Sequence, residues 1–115
     1  MFVDVKKTHS AANNTHLQGY VQASYSELLR AFGEPLAGDG YKTRVGWVIE
    51  FTGLDGDSVV ATVYDWKQYD TALSNVQRWN VGGFSSRAVQ VVTDYLDYMH
   101  DMELEVMAET DSSWR

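Results

Sequence analysis

Segment 45–66 constrains the fold more than any other part of the chain. Two runs rich in β-branched and aromatic residues, 41–51 and 59–66, flank Thr52-Gly53-Leu54-Asp55-Gly56-Asp57, and Asp55-Gly56 is a hairpin turn signal. The pattern predicts an antiparallel hairpin at the middle of the sequence. Strand side chains alternate between faces. Val45, Trp47, Ile49 and Phe51 therefore share one face of the first strand. Val59, Ala61 and Val63 share one face of the second and are small enough to lie beneath a helix. Val60, Thr62, Tyr64 and Trp66 fall on the opposite face. In a small domain one sheet face is covered and the other meets water. A water-facing row that ends in Tyr and Trp points to a binding surface.

The flanking segments predict further elements. Ser24 and Glu27 form a capping box, Tyr25, Leu28, Leu29 and Phe32 follow at helical spacing, and Gly33 and Pro35 end the helix. Residues 2–5 form a short first strand or an extended arm, within the N-terminal segment 1–14. Residues 15–21 form another strand, with Gly19 marking a bulge or a close approach. Segments 36–40 and 67–76 are loops. Residues 77–81 make a last strand, which Gly82-Gly83 breaks. Ser85 or Ser86 then caps a long helix from about 87 to about 108, with Ala88, Val92, Tyr95, Met99, Met102 and Val106 on its apolar stripe, followed by a tail, 109–115. The expected architecture is a single α+β domain, 1–115: a three- or four-stranded, mainly antiparallel sheet with two helices packed on one face.

Composition narrows the function classes. The chain has 115 residues, of which 44% are apolar, which suits one globular domain. It has no cysteine, which excludes disulfides, thiolate zinc sites and cysteine nucleophiles. His9, His16 and His100 are dispersed without ligand spacing, so no metal or cofactor is expected. No signal peptide is read at the N-terminus, and no apolar run approaches the ~20 residues of a membrane span. The net charge is −7, and residues 88–115 hold seven acids against Arg115 alone. That balance argues against a basic nucleic-acid groove. It favours a basic partner surface, with Asp94, Asp97, Asp101 and Glu105 as candidate contacts, set against the plainer reading of a solvated helix face.

Six aromatic residues, Tyr20, Tyr41, Trp47, Tyr64, Trp66 and Trp79, must supply both core and any recognition surface. Trp47 is the core candidate. Tyr41, Tyr64, Trp66 and Trp79 are candidates for stacking on a base, a nucleotide or a partner side chain. The structural alternative is a second small core, closed by the N-terminal arm or by a homodimer. Gly82, Gly83, Ser85 and Arg87 form a glycine turn that opens a helix and could hold an anion, although the full phosphate-loop spacing is absent. Lys42 and Lys67 are expected at the sheet end by Trp66. His16 and Asp65 are the only candidates for acid–base work. No nucleophile–base pair accompanies them, so no catalytic residue is assigned and an enzyme is not expected.

His16-Leu17-Gln18-Gly19-Tyr20, Phe32-Gly33-x-Pro35, Asp39-Gly40-Tyr41-Lys42, Trp47-x-Ile49-x-Phe51, Thr62-Val63-Tyr64-Asp65-Trp66-Lys67 and Trp79-x-Val81-Gly82-Gly83 occur in this order. Together they resemble a group of small bacteriophage-encoded proteins across roughly residues 15–95. Where that group has Trp-His-Ile before the glycines, this chain has Trp79-Asn80-Val81, and its acidic extension after about residue 100 exceeds the common pattern. The resemblance implies a phage protein in the host bacterial cytoplasm, and it implies no reaction. Its company suggests anti-defence activity: direct binding of a bacterial immune effector such as a CRISPR complex. The alternatives are a sponge that sequesters a nucleotide immune signal, a small nucleotide-acting enzyme, and a dimeric assembly factor.

Overall fold

In a computed structural model of the chain, residues 2–8, 14–38, 40, 42–53 and 55–112 are described. The fold is α+β. Its strands are β1 (Phe2–Lys7), β2 (His16–Gln22), β3 (Leu36–Ala37), β4 (Val45–Gly53), β5 (Ser58–Tyr64) and β6 (Arg78–Gly83). Its helices are α1 (Tyr25–Phe32) and α2 (Arg87–Ser112). All pairings are antiparallel, in the order β1-β4-β5-β6-β2, and β3 pairs with the start of β4. The sheet thus has six strands, where three or four were expected. The two outermost pairings lie on β4: β3, only two residues long, falls in a segment expected to be a loop, and β1, where a short strand or arm was expected, binds the far end of β4 with Val5 opposite Phe51.

The expected central hairpin is present, with Trp47 opposite Val63 and Ile49 opposite Ala61. Its covered face carries Trp47, Ile49, Phe51, Ala61 and Val63, all at 1% exposure or less, and β6 adds Trp79 and Val81. Leu28 and Phe32 of α1 and Ala88, Val91 and Val92 of α2 close over this one face. Each buried indole removes ~150–250 Å² from water, a gross gain of about 4–6 kcal/mol.

The two tryptophans also fix α1. The capping box forms as the sequence predicts: the Glu27 N–H donates to Ser24 Oγ (3.1 Å) and the Ser24 N–H to Glu27 Oε1 (3.0 Å). Beyond the helix, Trp79 Nε1–H donates to the carbonyl of Ala23 (2.9 Å), and Trp47 Nε1–H donates to that of Gly33 (2.8 Å). Both ends of an eight-residue helix are therefore tied to the sheet. Tyr25 packs against both rings, at 6.1 and 6.0 Å between centroids, and the two indoles meet edge-on at 5.7 Å. Gly33 ends the helix at φ 78, a conformation that disfavours side chains with a Cβ.

Two expectations are corrected here. Gly82-Gly83 does not break β6 but belongs to it, with Gly83 paired to both Ala61 and His16. A Cβ on Gly83 would collide with Ala88 Cβ of α2, so glycine permits the helix to cross there. The long helix also runs to Ser112, through residues expected to begin a tail.

Candidate functional site

Both helices pack on one side, and among the described residues no helix covers the other sheet face; its centre is sheltered, with Val48, Thr62 and Asn80 at 9, 9 and 7% exposure, and its margins carry the exposed side chains. Pairing registers set a row across it: Leu36 (β3), Gly46 (β4), Tyr64 (β5), Asn80 (β6) and Tyr20 (β2). The next row is Val48, Thr62, Gly82 and Leu17. Gly46 contributes no side chain, and Leu36, Ala37, Gly38 and Thr43 line the space beside it. The result is an open hollow of about 210 Å³, lined chiefly by Leu36, Gly38, Gly46, Val48, Thr62 and Tyr64.

Three rings mark this end of the sheet. Tyr64 is partly exposed, Trp66 is 41% exposed and Tyr20 48%. Trp66 packs edge-on against Tyr64 with centroids 6.3 Å apart. Each exposed ring has cations over it. Lys42 Nζ and Lys67 Nζ lie 5.8 and 5.6 Å from the Trp66 centroid, and the Arg78 guanidinium lies 4.6 Å from that of Tyr20. Among the described residues, the ion pairs are Lys6–Glu50, Arg30–Glu103 and Arg44–Asp65, so no carboxylate pairs with Lys42, Lys67 or Arg78.

A buried anchor holds this arrangement. Asp65, between the two rings in sequence, is 1% exposed. It accepts from the backbone N–H groups of Arg44 (2.8 Å) and Val45 (3.1 Å) and from Arg44 Nε (2.9 Å). Arg44 Nη2 donates onward to the Gln68 carbonyl, and the Gln68 amide donates to the carbonyl of Arg78. Lys67 takes a positive φ of 53, held by its N–H donating to the Lys42 carbonyl at 2.8 Å. Strained backbone of this kind persists only where its surroundings impose it.

The residues singled out in the sequence separate into three places. Tyr64 lines the hollow, Trp66 packs against Tyr64, and Lys42 and Lys67 do flank Trp66. Trp79 does not join them: it is fully buried beneath α1. Gly82 and Gly83 are buried within β6, where a Cβ on Gly82 would meet Thr62 Oγ1. Ser85 and Arg87 are exposed at the start of α2, where the Arg87 N–H donates to Ser85 Oγ at 3.3 Å. Gly83 pairs with Ala61, three residues before Tyr64, so Arg87 and the lysines lie at opposite sheet ends, separated by at least ~10 Å of strand. Lys42 and Lys67 therefore do not reinforce the glycine turn and Arg87 as one anion site. Tyr41 lies outside the described residues.

His16 pairs with Gly83 and is likewise remote from Asp65, so the one acid–base pair considered is not assembled. Asp94, Asp97 and Asp101 are exposed on α2, facing away from its inward stripe of Ala88 and Val92, which are buried, and Tyr95 and Met99, which are half-buried. Glu105 shares their register, and its side chain lies outside the described residues. This acidic stripe and the open sheet face are on opposite sides of the molecule, so one flat partner surface cannot touch both. Arg30 of α1 reaches Glu103 at 2.8 Å, placing a cation beside the late acids of α2. Burial raises the Tyr95 hydroxyl pKa above its ordinary 10.0, and Tyr98 adds to the shift. No group of His, Asp and Glu able to hold a metal occurs among the described residues, and no described helix is long and apolar enough to cross a membrane.

Sequence reasoning missed the Arg44–Asp65 anchor and the Arg78–Tyr20 pair. The first spans 21 residues and the second 58, and no local pattern announces either. No family model, curated protein or solved structure matches the chain.

Proposed function

We propose that this chain is a non-catalytic recognition protein that binds a protein partner through its open sheet face. The observation that carries this reading is the cluster of Tyr20, Tyr64 and Trp66 on the uncovered face, with Lys42, Lys67 and Arg78 laid over the exposed rings. Trp, Tyr and Arg are the residues that dominate binding energy at protein interfaces. The hollow of about 210 Å³ is open and falls below the ~300–1,000 Å³ of sites that enclose small ligands. It suits one inserted side chain better than a sequestered nucleotide, which places the sponge second. Asp65 is consumed by Arg44 and two backbone donors, which leaves the open face without a poised base.

The resemblance to small phage proteins supplies the biological setting of the proposal: the host bacterial cytoplasm, with an immune effector as the partner. Plaque counts on bacteria that each carry one defence system test it. Expression of the wild-type chain restores plaques on at least one such strain, and the Tyr64→Ala/Trp66→Ala variant does not. Failure to restore plaques on any strain, or restoration by both proteins alike, contradicts the reading.

A further inference from the structure

Within that reading, on which it rests, we infer that the open face takes an acidic segment of a protein partner, with an apolar side chain in the hollow and carboxylates against Lys42, Lys67 and Arg78. The argument is charge complementarity. The chain carries net −7, yet the three cations on this face have no carboxylate partner among the described residues. Two of the acids near this face are committed, Asp65 to Arg44 and Glu50 to Lys6, and Asp70, three residues after Lys67, is exposed and makes no ion pair with any of the three cations among the described residues. The acidic stripe of α2 lies on the far side and cannot neutralise them.

Geometry sets the length of the segment. Gly46, Tyr64, Asn80 and Tyr20 are successive neighbours across four strands, so the hollow and the Arg78–Tyr20 pair lie about 14 Å apart at the usual strand spacing. An extended segment of about five residues spans that distance. Its apolar residue enters at Gly46 and Val48. Its acids lie beside Trp66 at one end and Tyr20 at the other.

Two other occupants fit less well. A nucleic acid would stack its bases on ring faces, but those of Trp66 and Tyr20 already carry Lys42, Lys67 and Arg78. A second copy placed face to face would set like charges against one another.

Selection of twelve-residue peptides from a random library on the full-length chain tests the inference. The expected winners are rich in Asp and Glu around one large apolar residue. Their affinity falls about tenfold or more for the exposed-residue variant Lys42→Gln/Lys67→Gln, and falls further as salt rises from roughly 50 to 500 mM. Neutral or basic winners whose binding is lost in Tyr64→Ala/Trp66→Ala overturn the acidic segment but leave the open face as the binding surface. Winners indifferent to both variants overturn the segment and the surface together. A twelve-nucleotide oligothymidylate that binds more tightly than any peptide, or a dimer abolished by Tyr64→Ala/Trp66→Ala, overturns the acidic segment as well.

Discussion

Replacing Asp65 by Asn removes one charge from a site that is 1% exposed and tests what holds Trp66 and Lys67 in place. Asp65 Oδ1 accepts both backbone N–H groups, of Arg44 and Val45, and Oδ2 accepts Arg44 Nε. The amide oxygen of Asn can keep the backbone donors. Its NH2 group then meets the guanidinium donor to donor, so one charge-assisted hydrogen bond is lost. Such bonds contribute about 1.5–3 kcal/mol. The Arg44 side chain is 29% exposed, so water recovers part of its solvation, and the loss falls near the lower end, about 2 kcal/mol. With a urea slope of ~2 kcal/mol/M, the unfolding midpoint drops by about 1 M. Urea titration followed by far-ultraviolet circular dichroism measures it. A midpoint within ~0.2 M of the wild type would refute the assignment of Asp65 as an anchor.

Three further outcomes follow from the same contacts. Gly83→Ala drives a methyl group into Ala88 Cβ, and with backbone on both sides α2 must lift, costing about 1–3 kcal/mol in thermal or urea unfolding. Tyr95 holds its proton more tightly when folded, whereas the unfolded chain releases it near pH ~10. The stabilisation is therefore complete below that pH and is lost as pH rises through the folded value. Wild-type urea midpoints accordingly fall more steeply than those of Tyr95→Phe above pH ~10. Arg30→Ala removes an ion pair whose side chains are 54% and 42% exposed, and it shifts stability by no more than about 1 kcal/mol, less at high salt.

The elements legible in the sequence are those governed by neighbours along the chain. Ser24 and Glu27 announce the start of α1, Gly33 its end, and Asp55-Gly56 the central hairpin, because caps and turns depend on residues two to four apart. The alternation of β5 places Tyr64 on the open face before any partner strand is known. Elements set by distant packing were not legible. Gly82-Gly83 reads as a break because glycine is disfavoured within strands, and only the close approaches of Thr62 to Gly82 and of Ala88 in α2 to Gly83 explain their place in β6. Trp79 is a partial exception: β6 alternates Arg78 and Asn80 against Trp79 and Val81, a pattern that points Trp79 to the core. Grouping it with the surface aromatics by residue type overrode that signal. Half of the candidate site, Lys42, Tyr64, Trp66 and Lys67, came from local reading. Arg78 on Tyr20 and Arg44 on Asp65 needed the sheet register.

Paired surface variants, each tested by calorimetric titration against the bacterial protein recovered with the wild-type chain, test the recognition surface most directly. Tyr64→Ala/Trp66→Ala empties the open face, whereas Asp94→Asn/Asp97→Asn/Asp101→Asn neutralises the exposed stripe of α2 on the opposite side. Loss of two interface rings is expected to weaken binding by about a hundredfold or more, with the helix variant within about threefold of the wild type. The reverse order, with affinity lost when the α2 carboxylates are removed and kept when the rings are, would contradict recognition through the sheet.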